Sequence, residues 1–486
     1  MTGLAVRGGV SRRLLLARPP VRRGRLSTPA RLRTQALAAV VLACCLAALT
    51  AVLFVQLQGD FSAIGQRDAQ EADATTGLYF ALNDMDAQVA NVLLVGGDTT
   101  LAADRTQDMA IYASDRTAAD ADLQQATAGE ADNAAAERQL GLVLDRIGQY
   151  ETLAADALLT SQESHSAAGH APAAAIAYYR QATSLMQSGI LPAVGSLSTV
   201  SATRLDAAYG AGKSASGTGT ALVVAVGALL AAALVALQID VAVRFRRLFS
   251  PVLAVATVLT FALVAVTVAR LNAESDRLNV ARYDAFGSIQ ALSLARAVSY
   301  DANADESRYL VDPGSAAQYQ QSFLAKSQQI ANVGPTGIFG YDAALAADIA
   351  AYQRDNSVVR FGGFLGAEFR NITFPGERQA AVATLLAFQR YERDDRTLRA
   401  LAAKNLAEAV AYDIGTGASQ SDGAFNQYDA ALSSVIAVNS DAFAAAVASG
   451  EGGSAGELIF LEAGLVLAVA LIIAGVRPRL AEYHSG

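Results

Sequence analysis

Tryptophan is absent from this 486-residue sequence, histidine occurs three times, cysteine twice and methionine four times. Each scarcity closes off a class of chemistry. Cys44 and Cys45 are adjacent within an apolar run, so no disulfide can staple a polar part of the chain, and the pair reads as polarisable apolar filler. His165 and His170 share a Ser/Ala/Gly loop and His484 lies in the tail, which leaves no set of metal ligands, and no metal or cofactor is expected. There is no glycine-rich phosphate loop, no β-type alternation of useful length and no catalytic motif, so the chain reads as non-enzymatic.

Apolar length is what the sequence has in quantity. Hydrophobic residues make up 53%, and the mean hydropathy of +0.29 is too high for an ordinary soluble protein. Four runs, residues 35–57, 218–242, 250–270 and 457–476, approach the ~20 helical residues that cross a bilayer core. The middle two flank a short loop, 243–249, that carries Arg244, Arg246 and Arg247, and form a transmembrane hairpin.

Charge orients these spans. Residues 1–34 hold nine Arg and no acid; residues 58–217 hold 20 acids against 8 bases, and residues 271–456 hold 21 against 14. Because basic loops stay inside, both termini and the hairpin loop are expected in the cytoplasm and both large acidic segments outside. The first span is longer than a signal-peptide core, which favours a retained anchor. The arm 1–34, rich in Arg and Pro, is expected to lie disordered on anionic lipid, and 477–486 forms a cytoplasmic tail.

The fold class expected is all-α, with four transmembrane helices carrying two extracytoplasmic four-helix bundles, 58–217 and 271–456, related by tandem duplication. In the first, Ile176, Tyr179, Thr183, Met186, Ile190, Val194 and Leu197 follow the 3-4 spacing of a buried seam, and Pro192 should kink that helix. In the second, Phe425, Tyr428, Leu432, Val435, Asn439, Phe443 and Val447 repeat the pattern, with Asn439 a register-setting core amide. Gly96-Gly97-Asp98 closes the first long helix. Glycine-rich stretches, Gly210 to Gly217 and Gly450 to Gly456, suggest loose exits into the membrane, and the glycine-free entry Val268 to Asp284 suggests a stiff rod. Glu462, the one acid well inside an apolar run, is expected to snorkel outward.

The stretch least like a bundle helix is RFGGFLGAEFRNITFPGER, residues 360–378. Arg360, Phe364, Glu368, Arg370, Asn371, Thr373, Phe374 and Glu377 are its candidate partner- or ligand-binding residues, against a plain structural role in covering the bundle edge; ordered loops of this length serve both ends. Arg244, Arg246 and Arg247 are the candidate contacts for a cytoplasmic partner. Acidic domains exclude nucleic acid, membrane lipid is an obligatory neighbour, and a homodimer is allowed.

The run YYRQATSLMQSGILPAVGSL, residues 178–197, resembles the four-helix sensor modules of bacterial chemoreceptors. The four-span plan, the Arg-rich arm and FRNITFPGERQAA at 369–381 together resemble the actinobacterial GlnX-type transmembrane proteins. That resemblance implies a relay: an amino-acid-binding lipoprotein outside, a soluble Ser/Thr protein kinase of the G type inside, and glutamate, aspartate or glutamine availability as the message. Signal relay by a non-enzymatic sensor is therefore the leading expectation, a structural or scaffold protein of the envelope the alternative. A transporter would need paired charges and broken helices in its spans.

Overall fold

A computed structural model describes residues 28–62, 65, 69–129, 134–245 and 250–481. Every regular element among them is helical: α1 (Thr28–Ser62), α2 (Ala69–Val95), α3 (Ala102–Gly129), α4 (Ala134–Ser164), α5 (Ala173–Leu185), α6 (Leu191–Phe245), α7 (Pro251–Asn279), α8 (Gly287–Val311), α9 (Ala316–Ile330), α10 (Ile338–Arg354), α11 (Gly363–Asn371), α12 (Glu377–Ala402), α13 (Leu406–Asp413) and α14 (Ser421–Ala481). Short π segments, Met186–Ile190 and Val280–Phe286, join α5 to α6 and α7 to α8.

Among the described residues five helical stretches are long and apolar enough to cross a membrane: Ala30–Gly59, Ala173–Val243, Pro251–Val311, Ser421–Gly450 and Gly456–Pro478. Four contain the spans expected from sequence. The additional one, Ser421–Gly450, is the alanine-rich start of α14, and it packs: Phe425, Tyr428, Leu432, Val435 and Asn439 are all buried, Tyr428 against Phe388 of α12.

The chain divides into two compact units. The smaller takes in Met1–Ala47, Ala225–Val264 and Glu462–Gly486. There Leu32, Leu237, Val241, Leu253 and Val476 share a core, and glycine brings helices close: a Cβ on Gly475 would run into the Leu253 side chain, and one on Gly227 into Val264. Arg31 pairs with Asp240 at 3.0 Å and Gln35 donates to the same carboxylate at 2.8 Å, so residues 28–34 of the basic arm are helical and bound. Residues 1–27 lie outside the described residues.

The larger unit takes in Ala48–Val224 and Ala265–Leu461, so both polar segments belong to one body. At its centre α2 packs along α8. One core holds Leu78, Leu82, Met85, Val89 and Leu93 of α2 together with Leu310, Val311, Leu398 and Val410 from the second half. Aromatic edges continue the contact, Phe80 on Tyr300 at 4.8 Å and Tyr300 on Phe425 at 4.8 Å. Leu94-Val95 ends α2 as Leu310-Val311 ends α8, and at that same offset of 216 positions Asn91 accepts a 2.7 Å hydrogen bond from Ser307.

All seven residues of the first seam are buried. Pro192, which lacks an N–H, follows the π segment Met186–Ile190; the ladder widens there and the helix continues through Pro192. In the second seam Phe443 and Val447 are only half-buried. Gly96 ends α2 at φ +60, a left-handed cap that glycine adopts freely.

The glycine-rich exits differ from expectation: α6 runs through Gly210 to Gly217 and α14 through Gly450 to Gly456 without interruption. Helix propensity alone disfavours each glycine by ~1 kcal/mol, and the flanking helical turns override it. The expected stiff entry, in turn, is α-helical only to Asn279, where the π segment begins.

Candidate functional site

The sequence SYDANADESRYL, residues 299–310, has the composition of a solvated surface, yet in α8 all but Tyr300 and Tyr309 of it is buried. Ser299, Asp301, Asn303, Asp305, Glu306, Ser307 and Arg308 are all buried. Burying ions is costly unless they are paired and hydrogen-bonded, and here each charge has its counter-charge or donor.

Asp301, Asp305 and Arg308 recur at i, i+4 and i+7, on one helix face. The Arg308 side chain is 2% exposed. Its Nη2 donates to Asp86 of α2 at 2.6 Å, its Nη1 to Asp301 at 2.9 Å and Asp305 at 2.6 Å, and its Nε to the Tyr179 hydroxyl of α5 at 2.8 Å. Asp86 also accepts from Tyr150 of α4 at 3.1 Å and from Thr183 of α5 at 2.5 Å. Lys326 of α9 completes the set, 2.7 Å from Asp301 and 2.6 Å from Asp305. At the margin Gln187 donates to Asp301 at 2.7 Å, and Arg180 grips Asp312 through two nitrogens at 2.5 and 2.7 Å.

Three carboxylates thus face two cations at the heart of the network. Burial pushes the Asp86 carboxyl up, against the pull of Arg308. Burial works on Asp301 in the same sense, but Lys326 and Arg308 outweigh it and hold that carboxyl below its ordinary range. A cleft of about 450 Å³ opens onto this network, lined by Arg180, Thr183, Gln187, Asp305, Arg308 and Lys326 among others. Guanidinium, ammonium, carboxylate and hydroxyl groups on one wall give it donors and acceptors for a small dipolar solute.

The opposite side of α8 is also bonded. Glu306 accepts from Tyr391 at 2.8 Å and Ser421 at 3.2 Å; burial, then the nearby Asp395 and Asp413, hold its carboxyl well above the usual range. Arg399 pairs with Asp395 at 2.7 Å and lies over the Tyr309 ring. Among the described residues no group of three or more His, Cys, Asp or Glu could hold a metal ion.

None of these residues stands out in sequence by motif, because Asp86 and Arg308 are 222 positions apart. The available signal was a helix polar all round in a chain of amphipathic helices, which needs partners or solvent on every side.

The stretch 360–378 is held in place from within. Residues Gly363–Asn371 form α11, a helix where a loop was expected, with Phe361, Leu365 and Phe369 buried and Phe369 edge-on to Tyr352 at 4.8 Å. Arg370 donates to the carbonyls of Gly366 and Phe361 at 2.7 and 2.8 Å. Asn371 Nδ2 reaches the carbonyl of Asp284 at 2.9 Å and Ser288 at 3.0 Å, which pins α11 to the junction of α7 and α8. Glu377 accepts from the backbone N–H groups of Thr373 and Phe374 at 2.6 and 2.8 Å, closing the turn before α12.

Glu368, one of the candidate partner- or ligand-binding residues, is 1% exposed, so its substitution is a core change. Burial pushes its carboxyl up to about 7. Arg360 and Thr373 are exposed, and Phe364 and Phe374 half-buried. Of the cytoplasmic candidates, Arg246 and Arg247 lie outside the described residues, and Arg244 is described only as part of the α6 backbone.

No curated protein and no solved structure matches the chain. Residues 60–210 match the model of an actinobacterial sensor domain. That stretch includes Asp86, Tyr150, Tyr179, Arg180 and Thr183, so the first-half residues of the charged network lie in the part of the chain that is similar to a sensor domain, a likeness that suggests a sensing role for a chain with several helices apt to cross a membrane.

Proposed function

We propose that the chain is a non-enzymatic transmembrane sensor that relays amino-acid availability, presented outside by an amino-acid-binding lipoprotein, to a cytoplasmic Ser/Thr protein kinase. The observation that carries this reading is where the buried network sits in the chain. Arg180 and Gln187 lie in the helical stretch Ala173–Val243, and Asp301, Asp305 and Arg308 lie in Pro251–Val311, both of which include a segment apolar enough to span a bilayer. A contact that loosens or tightens the network thus acts on two helices that continue into apolar spans. Displacements of ~1–2 Å along such helices suffice for signalling. The mixed charge of the cleft suits the dipole of an amino acid, and the acids and partners named come from the resemblance of the four-span plan and of residues 369–381 to GlnX-type proteins.

The deciding experiment is crosslinking in native membranes followed by purification of the chain. Recovery of a solute-binding lipoprotein and a soluble kinase, with kinase-substrate phosphorylation changing on addition of glutamate or glutamine, is the expected outcome. Recovery of cell-wall enzymes alone would make the chain an envelope scaffold and end the relay reading.

A further inference from the structure

A second cavity, of about 150 Å³, lies between α2 and α3 of the first half and α8 and α14 of the second. Four carboxylates line it: Asp84, Asp104, Asp108 and Asp422. No Lys or Arg does. Arg296, whose charge reaches Asp84, is held by Asp429 through two bonds of 2.6 and 2.9 Å and lies over Phe80. Burial first, and then the mutual repulsion of these acids, pushes both the Asp108 and the Asp422 carboxyl up to about 7.

An independent observation comes from an amide. Gln88 is 7% exposed and lines the same cavity; its Nε2 donates to Asp84 at 2.7 Å, while its Oε1 is buried with no hydrogen-bond partner among the described residues. A buried carbonyl oxygen without a donor is a desolvation cost with no return inside the protein. The cavity therefore offers acceptors of two kinds, anionic and neutral, while the donors among its described lining residues are neutral amides and hydroxyls, such as Asn303, which donates to Asp422 at 3.4 Å.

We propose that this cavity binds a small organic cation, an alkylammonium group of the primary-amine or diamine class. An ammonium carries three donors and no acceptor, which complements Gln88 Oε1 and the flanking carboxylates. The Tyr300 ring on the wall adds an aromatic surface for a cation. Size agrees: at ~30 Å³ per water the space equals roughly five solvent molecules, enough for an aminoalkyl arm of a few heavy atoms. A free amino acid is disfavoured, since its own carboxylate would meet four others, and this separates the site from the mixed-charge cleft around Arg308. Filling the cavity ties α2 and α3 to α8 and α14, so the bound cation clamps the two halves of the large unit together.

The test uses the full chain in lipid nanodiscs and 1,4-diaminobutane as probe, with 1,4-butanediol, glutamate and calcium as comparisons, read by titration calorimetry and by thermal unfolding. Saturable binding of the diamine with a rise in unfolding temperature, and none with the diol or glutamate, is expected. Asp108→Asn with Asp422→Asn should weaken diamine binding at least tenfold while raising the unfolding temperature of the empty protein, because repulsion is relieved. If that variant fails to fold, Gln88→Leu, which keeps every carboxylate, should still weaken binding severalfold. Absence of saturable diamine binding, equal binding by the folded variants, or calcium displacing the diamine at lower concentration would each overturn the proposal. All are measured without lipoprotein or kinase, so this site stands or falls separately from the relay.

Discussion

Replacing Arg308 by Met keeps most of the side-chain volume and removes the charge that joins α2 to α8. The wild-type guanidinium bonds Asp86, Asp301, Asp305 and Tyr179 from a position 2% exposed. Removing one partner of a buried ion pair typically costs ~3–5 kcal/mol, because the other charge is stranded. The structure selects the lower end: Asp301 and Asp305 keep Lys326, and only Asp86, left with the neutral donors Tyr150 and Thr183, loses its cation. About 3 kcal/mol, at ~2 °C per kcal/mol for a large unit, corresponds to a fall of ~6 °C in Tm. Because the chain lacks tryptophan, helical circular dichroism in nanodiscs is the assay. Adding Asp86→Asn removes the stranded charge and should recover a good part of the loss, giving a coupling energy above ~1 kcal/mol in the double-mutant cycle. A single variant within 1 °C of wild type, or strictly additive effects, would refute the claim that this pair holds the halves together.

Three further expectations follow from the same geometry. Asp108, Asp422 and Glu368 are each pushed up to about 7, from ordinary values of 3.8, 3.8 and 4.5, so each neutral carboxyl favours the fold at low pH and that stabilisation is lost as pH rises through about 7; Tm should fall between pH 5 and pH 8, and a flat profile would contradict these burials. Glu377→Ala uncaps the N–H groups of Thr373 and Phe374 and should cost ~0.5–2 kcal/mol by chemical denaturation, whereas Arg360→Ala, on an exposed side chain, should stay within ~0.5 kcal/mol. A Cβ on Gly210, Gly217 or Gly456 meets nothing within 4 Å, so Gly→Ala at these helical positions should stabilise by ~0.4–1 kcal/mol each, and unfolding temperatures that drop would show those segments to be other than helical.

Helical class, seam and terminator were legible because each is written in neighbouring residues: the 3-4 spacing from Ile176 to Leu197, the double glycine after Val95. The pairing of α2 with α8 was not, since its carriers are far apart in sequence and its core residues read as surface. Asp301, Asp305 and Glu306 are acceptable in a core only once Lys326, Arg308, Tyr391 and Ser421 are brought to them. Stretch 360–378 misled in the opposite direction. Its glycines and charges suggest a loop, but Phe361 and Phe369 supply enough apolar surface to fold α11 against Tyr352, and Glu368 is carried inward with them. The glycine-rich exits are helical because propensity yields to the long helices on either side.

The π segment Val280–Phe286 has a consequence for how this chain tolerates insertion and deletion. A π turn houses about one residue more than the α turn it replaces. Losing a single residue there would convert the segment to plain α-helix while leaving the facing of α7 and α8 nearly as before. The same deletion a few turns earlier, in the α-helical part of α7, would rotate everything beyond it by ~100° and draw it back ~1.5 Å. Length variation among descendants of this sequence should therefore gather at Val280–Phe286 and Met186–Ile190, two points where the helix already holds a residue in reserve.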